Sequence, residues 1–259
     1  MTIRSFFDQL GYEVSFHYPP KRIISLVPSQ TELLADLGLE QQVVGITRFC
    51  IHPSGWRRTK TIIGGTKNFQ YESIDALKPD LIIGNKEENY FDGITRLKQQ
   101  YPVWLSDIVT LHDAYSMITS VGAMTDTEHK ASHIAREIEL RLSSVKKNSA
   151  QSVLYLIWRK PWMAAGSGTF IDSILTMLNL KNVLADFPRY PELSAEQIAG
   201  IKPHLIFLSS EPYPFREKHI NELKEMSPSS KLVLVDGEMF SWYGSRLLRA
   251  ADYFNRLIL

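Results

Sequence analysis

One twelve-residue pattern occurs twice in this chain, as ESIDALKPDLII from Glu72 to Ile83 and as EQIAGIKPHLIF from Glu196 to Phe207, with Glu, Ile, Lys, Pro, Leu and Ile in the same register. In each copy an apolar-periodic helix must stop ahead of proline, whose ring disfavours the α conformation at the preceding lysine, and a buried strand follows at once. Two helix-to-strand units this far apart exclude a solenoid and predict two similar α/β lobes with mostly parallel sheets. Lobes built alike from one chain enclose a cleft between them, and ligands prefer clefts.

The remaining elements follow the same alternation. In the first lobe, strands are predicted at Arg22 to Val27, Gln42 to Thr47, Leu81 to Gly84 and Val103 to Leu105. Its helices are expected from Thr31 to Gly38, after a turn at Pro28 and Ser29, and from Phe91 to Gln99. The second lobe has strands at Ser152 to Trp158, Leu205 to Leu208 and Leu232 to Val235. Its helices fall at Phe170 to Leu178, Ala195 to Ile201 and Arg216 to Glu225, with a last one from Gly244 onward. Between the lobes, Thr125 and Glu128 have capping-box spacing, and Ala131, Ile134, Ile138, Leu142 and Val145 form one apolar stripe. That predicts a helix of about 20 residues, ~30 Å long. The expected division is 1–124 for the first lobe, 125–147 for the connecting helix and 148–259 for the second. A continuous helix has no residues free to absorb a hinge rotation, so large closure is not expected.

Composition narrows the partners. The 259 residues are 44% hydrophobic, enough for ordinary globular cores, and the net charge of +1 gives no drive toward nucleic acid or an anionic membrane. The single cysteine, Cys50, cannot form an internal disulfide. No stretch approaches the ~20 apolar residues of a membrane span. The opening MTIRSFFDQLGYEVSF lacks the apolar core and small-residue cleavage site of a secretory signal, so the sequence as written predicts no export.

The order RIISLVPSQTELLADLG, VVGIT, SIDALKPDLIIG, a long interlobe helix and IKPHLIFLSS resembles the solute-binding proteins of ABC importers that carry cobalamin, iron siderophores or haem, the helical-backbone metal receptors. The tail VDGEMFSWYGSRLLRAADYF looks like the aromatic loop and last helix that flank the corrinoid in the cobalamin-binding branch. The resemblance implies a monomeric, non-enzymatic carrier with no intrinsic cofactor, whose ligand is a cobalt corrinoid, haem or ferric chelate and whose partner is an ABC permease. It implies a periplasmic or extracellular location, or a cytoplasmic one if this chain is the full precursor. The alternative is a cytosolic metal- or tetrapyrrole-handling protein or enzyme on the same scaffold.

Candidate contacts lie in loops after strand carboxyl ends, where parallel sheets bind ligands. These loops are rich in aromatics: Phe49, Trp56, Phe69, Tyr71 and Tyr90 in the first lobe, and Tyr213 and Phe215 in the second. The segments WRKPW and FSWY hold more rings than alternation can bury, so Trp158, Trp162, Phe240, Trp242 and Tyr243 are expected to offer apolar faces to a flat macrocycle, joined by Tyr190. Arg159, Arg189 and Arg246 beside them suit carboxylate, phosphate or amide oxygens. Cys50 and His52, one residue apart, would point the same way in an extended loop and could offer a soft pair to a metal, although two ligands are too few for a closed site. The repeat offset carries Glu87 to Glu211, with Glu88 beside the first. The resemblance implies that one surface glutamate per lobe docks on permease arginines.

Overall fold

The structure, a computed structural model, describes Thr2 to Leu257. Its chain divides into two compact units, the first running through Ile108 and including His112–Leu140 and Tyr243–Leu248, the second built from Val109–Leu111, Arg141–Trp242 and the segment from Arg249.

The first unit starts with an antiparallel hairpin, β1 (Thr2–Phe7) and β2 (Glu13–Tyr18). There follow β3 (Ile23–Ser25), α1 (Pro28–Asp36), β4 (Val43–Ile46), α2 (Trp56–Thr59), β5 (Thr61–Ile62), the small pair β6 (Gly64–Gly65) and β7 (Asn68–Phe69), α3 (Tyr71–Leu77), β8 (Leu81–Asn85), α4 (Phe91–Lys98) and β9 (Val103–Ser106). The sheet order is β5-β4-β3-β8-β9, parallel throughout. Helices α5 (Leu111–Met124) and α6 (Glu128–Ser143) belong mostly to this unit. Because a parallel sheet is covered on both faces, its central strands read as unbroken apolar runs, and β3 and β8 are buried at every position.

The second unit contains β10 (Ser152–Trp158), β11 (Trp162–Ala164), α7 (Phe170–Met177), β12 (Lys181–Asn182), β13 (Glu192–Leu193), α8 (Ala195–Ile201), β14 (Leu205–Ser209), α9 (Glu217–Met226), β15 (Lys231–Val235), α10 (Gly237–Ser241) and most of α11 (Leu247–Arg256). Strands β12, β10, β14 and β15 run parallel, while β11 and β13 extend the sheet antiparallel. One face packs Leu154, Leu156, Ile206 and Leu208 against Ile198 of α8 and Leu223 of α9. Each such fully buried side chain contributes roughly 1.5 to 3 kcal/mol.

The repeat superimposes residue for residue in secondary structure: Tyr71, Leu77, Leu81 and Asn85 bound α3 and β8 as Ala195, Ile201, Leu205 and Ser209 bound α8 and β14. Both helices stop ahead of proline as expected, and Lys78 and Lys202 leave the α conformation by turning left-handed, at φ 46° and 48°. A left-handed residue reverses the chain in one step, and the Lys78 N–H returns to the Asp75 carbonyl at 3.2 Å. Helix α1 begins three residues ahead of expectation because Pro28, read there as a turn, occupies the first helical position, where its missing N–H costs nothing. Gly38, at φ 86°, lies just past its end.

Helix α6 covers Glu128–Ser143, inside the span expected for the connecting helix. Thr125 does not begin it. Its hydroxyl donates to the Val121 carbonyl at 2.7 Å and so belongs to the end of α5, and Asp126 then turns left-handed at φ 60°. Helix α5 and the amino-terminal hairpin are not among the expected elements. Instead of one final helix from Gly244, α10 and α11 form with Trp242 to Arg246 between them.

Candidate functional site

In the first unit, the loop leaving β8 is built on one buried amide. Asn85 Oδ1 accepts the N–H groups of Glu87 at 2.8 Å and Glu88 at 3.0 Å, and its Nδ2 donates to Ser106 Oγ at 3.0 Å. Gln30 Nε2 reaches the same Ser106 hydroxyl at 2.7 Å, and Asn89 Oδ1 accepts from Asn85 N at 2.9 Å. The loop therefore holds Glu88 in place, and Glu88 accepts a short hydrogen bond from the Tyr243 hydroxyl. Burial pushes the Tyr243 phenol well above its ordinary pKa, and the neighbouring Glu88 charge adds to it. Three residues on, Arg246 is only 4% exposed and forms a two-pronged pair with Glu32, Nε to Oε2 at 2.9 Å and Nη2 to Oε1 at 2.7 Å. Burial raises the Glu32 carboxyl while the Arg246 guanidinium opposes it.

In the second unit the loop leaving β14 carries Glu211. One of its oxygens, Oε1, accepts from Trp242 Nε1 at 2.8 Å and from Ser241 Oγ at 2.7 Å. Burial pushes the Glu211 carboxyl above the usual glutamate range, against the two hydrogen bonds. The native state thus keeps this proton to higher pH than the unfolded chain, so its effect on stability turns unfavourable as pH rises through that window. Glu211→Gln keeps the accepting oxygen and removes the charge. The expected result is a higher melting temperature at pH 7 to 8 and a flatter profile from pH 5 upward; a lower melting temperature with the wild-type slope would contradict this.

These contacts revise the expected apolar face. Phe240 lies on α10 at 0% exposure, packed on Tyr155 at 5.1 Å and Phe254 at 5.0 Å, and is core. Trp242 and Tyr243 are buried as well. The segment FSWY buries all three rings because it starts inside a helix and then places two polar ring atoms on glutamates, which strand alternation does not provide. Trp162 is buried, stacked on Phe215 at 6.1 Å and 4°. Arg159 is held by Glu222 through Nε at 2.8 Å and Nη2 at 2.9 Å, and Arg246 by Glu32, so both guanidiniums serve protein carboxylates. Tyr190 is half-buried beside the Arg189 guanidinium at 5.9 Å. Trp158 differs from the other rings. At the carboxyl end of β10 it stays 39% exposed.

Cys50 and His52 differ in exposure. Cys50 is buried and follows a turn, its N–H bonding to the Thr47 carbonyl at 3.1 Å, while His52 is half-buried ahead of Pro53. The thiol lies 3.0 Å from Thr31 Oγ1 and 3.2 Å from Thr47 Oγ1, and burial pushes its pKa up. No group of three or more His, Cys, Asp or Glu able to hold a metal ion occurs among the described residues. Glu87, Glu88 and Glu211, named as the docking glutamates, are half-buried. Two of them accept hydrogen bonds from aromatic donors.

Among the exposed rings, Phe49 at 54%, Phe91 at 82% and Phe187 at 52% carry more open surface than Trp158. They follow β4, β8 and β12, the carboxyl edges of the two sheets. Phe49 was legible as a loop aromatic, whereas Phe91 reads as the first apolar residue of a helix. Phe187 carries no pattern, and its only signal is the preceding strand.

Residues 23–227 match the profile of a family described as "Periplasmic binding protein". An uncharacterised ABC transporter substrate-binding lipoprotein of Bacillus subtilis is 26% identical over 77% of this chain and 67% of its own length. A vitamin B12-binding protein of Pectobacterium carotovorum is 23% identical over 90% of this chain and 86% of its own. Among solved structures, the periplasmic vitamin B12-binding protein of Vibrio cholerae matches with a TM-score of 0.78 at 22% identity, covering 92% of this chain and 96% of that one.

Proposed function

This chain belongs to the periplasmic binding protein family, and from that premise we propose that it is the solute-binding component of an ABC importer, carrying a metal-containing macrocycle or chelate outside the cytoplasm. A cobalt corrinoid is the first choice of ligand, with haem or a ferric siderophore next. The observation that carries this reading is Trp158, an indole left 39% exposed at the end of a central parallel strand, with Phe49, Phe91 and Phe187 open after other strands. Exposed rings at strand carboxyl ends suit a wide, partly apolar ligand. The vitamin B12-binding relative supports the corrinoid, and the lipoprotein relative supports the importer. No helix among the described residues is long and apolar enough to cross a membrane. Docking through Glu87, Glu88 and Glu211 remains part of the proposal. The chain acts as a carrier rather than an enzyme, a reading supported by the enclosed thiol of Cys50.

Titrating cyanocobalamin, hemin and a ferric siderophore at micromolar concentration, with tryptophan emission as the signal, tests the proposal. Saturable quenching by the corrinoid is expected, and none with any of the three rejects the function. Trp158→Ala is expected to weaken binding by about 1 to 3 kcal/mol. An unchanged affinity removes Trp158 from the contact surface.

A further inference from the structure

Trp158 does not stand by itself in the second unit. Its indole meets the Tyr213 ring edge-on, with centroids 5.7 Å apart. The Tyr213 hydroxyl lies 3.2 Å from Nε2 of His219, and this imidazole is buried against Tyr213 and Phe215 at 5.4 and 5.5 Å. His219 is the third residue of α9, and its Nδ1 accepts the backbone N–H of Arg216 at 2.9 Å, just ahead of the helix. An accepting Nδ1 puts the proton of the neutral ring on Nε2, which then donates to Tyr213. The same unit shows what this position normally does: in α8 the third residue, Gln197, accepts the Ser194 N–H through Oε1 at 2.7 Å. His219 thus does the work of a capping glutamine with a group that titrates.

We propose that His219 is the positioning residue of the Trp158–Tyr213 ring pair, and that its protonation unfastens the pair, so that ligand affinity falls in acid. A protonated imidazole carries N–H at both nitrogens and can no longer accept from Arg216. The charged groups around it divide: Lys218 on its own helix and Arg159, from the turn after β10, oppose a second positive charge, while Glu222, one turn along α9, favours it. Tyr213 and Phe215 face it with their rings. Burial, with Lys218 and Arg159, holds the imidazole below its ordinary pKa. The native state therefore binds fewer protons than the unfolded chain below that value, and the stability this residue contributes at neutral pH is lost as pH falls through the depressed value.

The ligand part of this inference rests on the carrier reading, and the experiment separates the two. Tryptophan emission is followed without ligand from pH 7.5 to 5 in the wild type, His219→Gln and Trp158→Phe. The expected result is an emission change in the wild type, centred below the ordinary histidine value of about 6.5, that is absent from both variants. His219→Gln should keep wild-type emission at pH 7.5, since glutamine supplies the same acceptor. With cyanocobalamin, wild-type affinity should be about tenfold weaker at pH 5 than at pH 7.5 and that of His219→Gln unchanged, tenfold lying within the range of losing one anchor ring. An acid transition that persists in His219→Gln, or none in the wild type, overturns the proposal. Imidazole nitrogen NMR on the unmodified protein gives a check that does not need the variant to fold: an Nδ1–H tautomer for His219 at pH 7.5 also overturns it. Failure of all three ligands to bind at pH 7.5 removes the carrier reading and leaves the ligand-free emission and NMR to decide the role of His219.

Discussion

Arg246→Met is expected to cost about 3 to 5 kcal/mol of folding stability at pH 7, because it leaves the Glu32 carboxylate buried without its cation. Replacing both partners, Glu32→Leu with Arg246→Met, should cost much less, since two apolar side chains of similar volume do not bear the desolvation of the charges. The single variant also has a predictable pH dependence. Without the guanidinium that now opposes it, burial raises the Glu32 carboxyl further, and the native state binds more protons than the unfolded chain. Its deficit should therefore be larger at pH 8 than at pH 5. Urea unfolding of the two variants at both pH values measures this, and a single variant within 1 kcal/mol of wild type at pH 8, on the order of what an exposed pair contributes, would show that the pair is not structural.

Asn85→Leu should be nearly as damaging, with a loss of about 2 to 4 kcal/mol. The substitution strands the N–H groups of Glu87 and Glu88 and takes a donor from the buried Ser106 hydroxyl. Buried networks fail as units, so the cost exceeds that of one neutral hydrogen bond. Asn85→Asp keeps the accepting oxygen but trades the donor for a buried carboxyl, so its loss should be smaller at pH 5 than at pH 8. Amide hydrogen exchange offers a local check. Faster exchange at Glu87 and Glu88 in Asn85→Leu is expected, whereas unchanged exchange at both would mean the turn is held by something else.

The parts of the fold legible in the sequence are those whose causes are local. The helix-to-strand units at 71–85 and 195–209 form where periodicity and proline put them, each strand running one residue past its expected end, and β10 covers the span its β-branched and apolar run marks. Errors of a few residues collect at ends, where Pro28 starts a helix instead of a turn and Thr125 finishes one instead of starting the next. Helix α5 was legible as well, since the buried Ala114, Met117, Ile118 and Val121 recur at helical spacing, although LHDAYSMITSVGAM dilutes that stripe with small and β-branched residues.

The candidate site was less legible, for a physical reason. The sequence by itself determined two α/β units, their shared helix-to-strand repeat and the strand ends from which binding loops leave, because backbone sterics and side-chain periodicity act within a few residues. It also marked those loops as aromatic. Which rings stay open, and which charges find each other, depends on partners distant in the chain: Glu32 with Arg246, Glu88 with Tyr243, Asn85 with Ser106, Trp158 with Tyr213 and through it His219. The two tryptophans of WRKPW look alike in sequence, yet Trp158 stays open to solvent while Trp162 is buried with the Arg159 guanidinium over its ring. Burial and desolvation are set by all the neighbours at once, so only the tertiary structure could turn Phe240 and Trp242 into packing and leave Trp158 as the open ring.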